Sequence, residues 1–98
     1  MATFITTIKF TEKGIKAIGE TTKRADAFKA AAKKMGAKVT EIYWTLGAFD
    51  GAIVLDAPDD ETAAAVLMQL DISGNVHTAT ARAFNAAEMG KILANLSP

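Results

Sequence analysis

The stretch EIYWTLGAFDGAIVLDA, residues 41–57, contains two apolar runs joined by a short connector with a glycine at each end. Alternation of polar and apolar side chains over residues 38–46 predicts one strand, and the run at 52–57 has the length of a second. The connector, from Gly47 to Gly51, has five residues. A parallel pair of strands needs a crossover of about a dozen residues, so this stretch predicts an antiparallel hairpin.

The segments around the hairpin predict two further strands and several helices. Residues 3–10 and 76–84 alternate as strands do. Helical patterns follow Thr11, the threonine pair at 21–22, Pro58 and Asn85, each of which suits a helix start. The order β-α-β-β-α-β-α, with right-handed crossovers, predicts the α+β class. We expect a ferredoxin-like βαββαβ sandwich with an additional C-terminal helix, an antiparallel four-stranded sheet and helices on one face, as one domain over residues 1–98.

Composition excludes several classes of function. Lys+Arg and Asp+Glu number 11 each, so the net charge of 0 argues against a nucleic-acid binder. There is no cysteine, which excludes disulfides and thiolate nucleophiles, and a single histidine cannot form a His-rich metal site. The acidic residues at 59–61 are explained by helix capping. We therefore predict no metal and no cofactor. Without a leader pattern or an apolar run of about 20 residues, we expect a cytoplasmic protein that does not cross a membrane.

Alternation along the strands divides their side chains between two faces of the predicted sheet. The face predicted to lie under the helices holds Phe4, Ile8, Phe10, Ile42, Trp44, Leu46, Ala79, Ala81 and Ala83. The opposite, open face is predicted to hold Ile5, Thr7, Lys9, Val39, Glu41, Tyr43, Thr45, Thr78, Thr80 and Arg82. The third strand is apolar on both sides, so its phase, and with it the face of Asp56, is left open by the sequence.

Three segments together resemble the GYD-domain family: GIKAIGETTKRADAFKAAAKKMG (14–36), VTEIYWTLGAFDGAIVLDAPDDETAAA (39–65) and GNVHTATARAF (74–84). The family motif places glycine and then tyrosine-aspartate at the hairpin. Here that position reads Gly47-Ala48-Phe49-Asp50, so Phe49 replaces the tyrosine of the family and lacks its hydroxyl group. The resemblance implies a small ferredoxin-like domain similar to the dimeric α/β-barrel group, with no established activity.

The hairpin loop has a structural interpretation from its residue types. Gly47 and Gly51 permit unusual backbone dihedrals, and the Asp50 carboxylate can accept nearby backbone N–H groups. Phe49 is predicted to anchor the loop against the subunit or a neighbour, and a ligand-gating role for Phe49 is the alternative.

The open face provides the candidate site. Lys9 and Arg82 are hydrogen-bond donors suited to a small polar or anionic ligand, while Glu41, Tyr43 and His77 complete the candidates. The first hypothesis is a non-enzymatic binding module for a small molecule or protein, forming a homo-oligomer through the open face or the edge strand 38–46. The alternative is a cofactor-free oxygenase- or isomerase-like enzyme, in which Lys9, Tyr43 and Arg82 polarise an oxygen and His77 or Glu41 moves a proton. A third possibility is a structural protein that builds rings or cages through its sheet edges.

Overall fold

The hairpin predicted from the sequence is part of one four-stranded sheet. The structure, a computed structural model, describes residues 1–97. The strands pair in the order β2-β3-β1-β4, and each neighbouring pair is antiparallel. This is the predicted α+β fold with an open antiparallel sheet. The strands are β1 (Ala2–Phe10), β2 (Lys38–Trp44), β3 (Gly51–Ala57) and β4 (Val76–Ala83).

Four α-helices connect or follow the strands, and side-chain caps start three of them. The Thr11 hydroxyl accepts the Gly14 N–H at 3.0 Å, and the Asp59 carboxylate accepts the Thr62 N–H at 2.7 Å. Such caps satisfy N–H groups that have no partner within the helix. The predicted helix start at Asn85 is confirmed, and Asn85 forms a capping box with Glu88. The helices are α1 (Glu12–Lys16), α2 (Thr21–Lys34), α3 (Asp60–Ile72) and α4 (Ala86–Ala94), and a short 3₁₀ helix, Ile18–Glu20, precedes α2.

The core lies between one face of the sheet and the helices α2 and α3. Phe28 of α2 and Val66 of α3 are buried against Phe4 and Ile8 of β1 and Leu55 of β3. The opposite face of the sheet carries no helix, and its central Ile5 is 43% exposed. No helix within residues 1–97 is long and apolar enough to span a membrane.

The predicted faces of β4 are wrong, because the register of this strand in the sheet is shifted by one residue from the predicted one. Phe10 pairs with Val76, so Val76 lies on the helix side. The register is fixed by the preceding turn, where Thr11 donates to the backbone oxygens of both Gly74 and Asn75. A one-residue shift moves every side chain of a strand to the other face. Thr78, Thr80 and Arg82 consequently lie on the helix side, and Ala79, Ala81 and Ala83 on the open face.

The threonines of β4 tolerate the helix side because their hydroxyls find partners there. Thr80 donates to the hydroxyl of the fully buried Thr6 at 2.8 Å, and Thr6 donates to the Ala79 carbonyl at 3.2 Å. The Thr78 hydroxyl bonds to the Asp71 carboxylate of α3. Thr6 is buried, so its hydroxyl needs these partners, whereas Thr78 is only half-buried and Thr80 is exposed in the edge strand. Side-chain polarity was therefore a misleading guide to the face of β4.

The course of β2 corrects three further assignments, those of Val39, Thr45 and Leu46. The pairing with β3 shifts register between Val39 and Glu41, as a bulge does, so Val39 packs toward the core rather than on the open face. The strand also ends at Trp44, and Thr45 and the fully exposed Leu46 belong to the following loop. Trp44, predicted as core, lies on the helix side but remains 48% exposed.

Helix α4 differs from the other long helices because it buries none of its residues. Its apolar side chains Met89, Ile92 and Leu93 are all exposed, as is Phe84 just before it. A nine-residue helix is marginal in water without packing. Its capping box, together with the Arg82–Glu88 ion pair, fixes its first turn.

Candidate functional site

The open face of the sheet is more apolar than the sequence predicted. Ile5 lies between Val54 of β3 and Ala81 of β4, and the next row places Thr7 between two alanines. The corrected phase of β4 removes two threonines and an arginine from this face and replaces them with alanines. The centre of the face is thus a shallow surface of Ile5, Val54 and small side chains.

Two of the predicted site residues, Lys9 and His77, lie together at one end of this face. They are cross-strand partners on β1 and β4, and both are exposed. Neither takes part in an ion pair within residues 1–97. The opposite end carries Asp56, whose carboxylate accepts the Thr3 hydroxyl at 2.7 Å. Asp56, left unassigned by the sequence, therefore belongs to the open face.

Glu41 and Tyr43 occupy the edge strand β2 on the same face, as predicted. Tyr43 is 57% exposed. Hydrogen bonding to Glu41, followed by the negative charge of that carboxylate, raises the pKa of the Tyr43 phenol above its ordinary value. Tyr43 is therefore a neutral phenol at physiological pH, held at the β2 edge of the open face.

Arg82 does not join these residues, which corrects its predicted place on the open face. Its guanidinium lies on the helix side, 4.6 Å from the centre of the Phe84 ring and 5.7 Å from that of Phe4. It also pairs with Glu88 at 3.4 Å. Hydrogen bonding from the Asn85 backbone N–H, and then the nearby Arg82, lower the pKa of Glu88. Arg82 therefore links β4 to α4, and the predicted pair of Lys9 and Arg82 is not assembled.

The hairpin loop is fixed to β1 by Asp50, as its residue type predicted. The Asp50 carboxylate accepts the Phe10 N–H at 2.9 Å, and the Asp50 N–H donates to the Ile8 carbonyl at 2.7 Å. Phe49 is partly exposed, and its carbonyl accepts the Thr45 hydroxyl at 2.7 Å. These bonds extend the β1–β3 pairing into the loop.

The two glycines of the loop serve different purposes. Gly47 has a φ of 121°, a conformation that other residues rarely adopt. The prediction is wrong for Gly51, which has no positive φ. A Cβ on Gly51 would lie 2.9 Å from the Tyr43 carbonyl oxygen, so this glycine is required by close strand approach.

A cavity that the sequence did not predict lies on the helix side, between α2, α3 and the sheet. Its volume is about 280 Å³. Its lining is mostly apolar: Ile8, Phe10, Phe28, Ile42, Leu70 and Val76. Thr21, Arg24, Trp44 and Asp50 also line it, and the Trp44 indole N–H donates to the Thr21 hydroxyl at 3.0 Å.

Small residues border part of the cavity. Ala25 and Ala31 of α2 line it above the sheet, and Gly51 contributes no side chain below. Phe28 is the one large side chain that α2 buries there. The signal in the sequence was the run of alanines in α2, which alone indicates only good helix propensity. No group of three or more potential metal ligands occurs in residues 1–97.

Comparison with known proteins gives two matches. The family model described as GYD domain matches residues 4–93, nearly the whole chain. The crystal structure of TTHA0845 from Thermus thermophilus is similar to the structure of this chain, with a TM-score of 0.56 and 25% sequence identity. The match covers 88% of this chain and 96% of that one. No curated protein matches.

Proposed function

The chain belongs to the GYD domain family, and from this premise we propose that it is a non-enzymatic binding module whose open sheet face pairs with a second copy of the chain. The observation that carries the proposal is the apolar centre of that face, formed by Ile5, Val54 and the alanines of β3 and β4. A sheet face that stays in water ordinarily carries polar side chains.

The dimensions of the face suit a modest interface. Four strands about 4.8 Å apart and seven residues long give a footprint about 19 Å wide and about 23 Å long, or roughly 440 Å². A standard interface buries about 800 Å² of accessible surface per partner. Accessible surface on a pleated face exceeds its planar footprint, so the open face falls at the lower end of this class. We therefore expect a dissociation constant on the order of micromolar.

The charges on the face favour a second copy as the occupant. Lys9 lies at one end and Asp56 at the other. A two-fold interface must be complementary to itself. A two-fold axis perpendicular to the strands places Lys9 of each copy near the Asp56 end of the other. Lys38, the cross-strand partner of Asp56, offsets part of the negative charge at that end, so the attraction rests on the Lys9–Asp56 pair alone. A small anionic ligand at this interface would be held by Lys9 and His77, the two predicted ligand contacts that lie side by side on the open face.

The edge strand β2 is less suited to this role, whereas α4 offers a competing surface. The edge of β2 carries the charged Lys38 and Glu41 and a register shift, features that oppose strand addition. Helix α4 exposes apolar side chains and is the competing interface. The enzymatic alternative required Lys9, Tyr43 and Arg82 on one surface, and Arg82 lies on the other side of the sheet, so no assembled group supports it.

Matched isoleucine substitutions test the proposal. Ile5→Lys places a charge at the centre of the open face, while Ile72→Lys on α3 and Ile92→Lys on α4 make the same change at other exposed sites. Sedimentation velocity over a range of concentrations should give twice the 10.3 kDa chain mass for the unmodified protein and both controls, but the monomer mass for Ile5→Lys. Circular dichroism confirms that each variant is folded.

Two results would overturn the proposal. A monomer at all concentrations up to about 1 mM would remove the pairing altogether. A dimer that survives Ile5→Lys but dissociates with Ile92→Lys would assign the interface to α4.

A further inference from the structure

We propose that the helix-side cavity binds a compact organic acid, with a small aromatic or branched aliphatic body and one carboxylate. This site lies across the sheet from the open face, so it does not depend on the proposed pairing of two copies. The apolar body would contact Phe28 and Ile42, and the carboxylate would meet Arg24.

The cavity lies where two short side chains of α2 face a glycine of the sheet. Ala25 and Ala31 are too short to reach the sheet, and Gly51 cannot carry a side chain because of the Tyr43 carbonyl. The lining of the cavity is mostly apolar, so contact with water is unfavourable there. An apolar ligand removes this surface from water, which supplies the driving force for binding.

The size of the cavity limits the ligand. At about 280 Å³ it is just below the range of about 300–1,000 Å³ typical of drug-sized sites. It is larger than an apolar void of about 150 Å³ that is able to hold benzene. A molecule with one ring, or a branched chain of similar bulk, therefore fits.

Arg24 indicates the polar group of the ligand. Arg24 is half-buried, and its guanidinium donates one long hydrogen bond, 3.5 Å, to the Gly14 carbonyl; the side chain forms no ion pair within residues 1–97. Guanidinium groups offer five N–H donors in a planar arrangement that suits a carboxylate. Asp50 also lines the cavity, and its carboxylate is held at the loop by the Phe10 N–H. Arg24 has only its long bond to Gly14, so we expect it to select a carboxylate, and an amine probe tests the opposite choice by Asp50.

Trp44 provides a specific reporter, because it is the one tryptophan in the sequence and lines the cavity. Its fluorescence is titrated with phenylacetate, with benzyl alcohol as a neutral probe and with phenethylamine as a cationic probe. We expect a saturable change with phenylacetate at a dissociation constant on the order of 0.1 mM, and weaker binding of the other two.

Two pairs of variants separate the apolar and ionic contributions. Ala31→Leu fills the cavity and should weaken phenylacetate at least about tenfold, whereas Ala30→Leu, the same change at the exposed neighbouring position, should not. Arg24→Met should weaken phenylacetate about tenfold and leave benzyl alcohol unchanged, whereas Lys29→Met should affect neither. Ala25→Leu replaces Ala31→Leu if the latter does not fold, as judged by circular dichroism.

The outcomes are decisive in either direction. No saturable change with any of the three probes would overturn the site, as would equal effects of the substitutions at residues 30 and 31. Tighter binding of phenethylamine than of phenylacetate would overturn the assignment of an acid. The sedimentation experiment is independent of these titrations, so failure of the cavity proposal and failure of the pairing proposal give different results.

Discussion

Asp50→Ala should destabilise the protein, because this side chain ties the hairpin loop to the end of β1. The Asp50 carboxylate accepts the partly buried Phe10 N–H at 2.9 Å. A hydrogen bond to a charged group contributes about 1.5–3 kcal/mol, and a buried N–H left without a partner costs a similar amount. We therefore expect the free energy of unfolding to fall by about 2 kcal/mol. For a domain of this size that corresponds to a decrease in Tm of about 8–16 °C.

Two companion variants identify the cause of that loss. Asp50→Asn keeps an oxygen that can accept the Phe10 N–H but loses the charge, so it should cost about 1 kcal/mol or less. Asp26→Ala removes an exposed aspartate from α2 and should be neutral or slightly stabilising, since alanine is the better helix former. Urea unfolding followed by circular dichroism measures all three. A loss below about 0.5 kcal/mol for Asp50→Ala, or equal losses for alanine and asparagine, would refute the reasoning.

Three further outcomes follow from local contacts. Gly14→Ala would place a Cβ against the backbone oxygen of Asn75, in the turn before β4, and should cost about 3 kcal/mol or more. Gly19→Ala, with open space around it, should be tolerated, and urea unfolding of both variants checks this. Hydrogen bonds at the start of α3 lower the folded-state pKa of Asp59, so its stabilising contribution is present above the unfolded pKa of about 3.9 and is lost as pH falls through the lower folded value. Acid unfolding of Asp59→Asn should therefore show a weaker dependence on pH than that of the unmodified protein. Tyr43 is the sole tyrosine, so ultraviolet titration should give a midpoint above 10 that falls toward about 10 in Glu41→Gln; an unchanged midpoint would exclude the Glu41 effect.

The fold was predictable because several local signals agreed. The five-residue connector required a hairpin, and the caps at Thr11, Asp59 and Asn85 were readable from residue type and position. Strand alternation likewise gave the faces of β1 correctly, since Phe4 and Ile8 are buried and Ile5 is exposed. Each of these features depends on a few neighbouring residues.

The candidate site was less predictable, because it depends on contacts between distant segments. The phase of β4 follows from the bonds of Thr11 to the turn before that strand, which no pattern within β4 reveals. Alanine and threonine suit either face, so residues 78–81 carried no usable polarity signal. Arg82 was therefore predicted to lie on the same face as Lys9, whereas it lies on the opposite face. The cavity depends on the space left between α2, α3 and the sheet, and sequence patterns do not measure such a space.

The pairing of two open faces is tested most directly by isotope-filtered nuclear Overhauser spectroscopy on a mixture of labelled and unlabelled chains. Our account predicts intermolecular contacts from the Ile5 methyl groups to open-face side chains of the second copy, such as Val54 and Ala81. Intermolecular contacts that arise from Ile92 and Leu93 of α4, with none from Ile5, would contradict it.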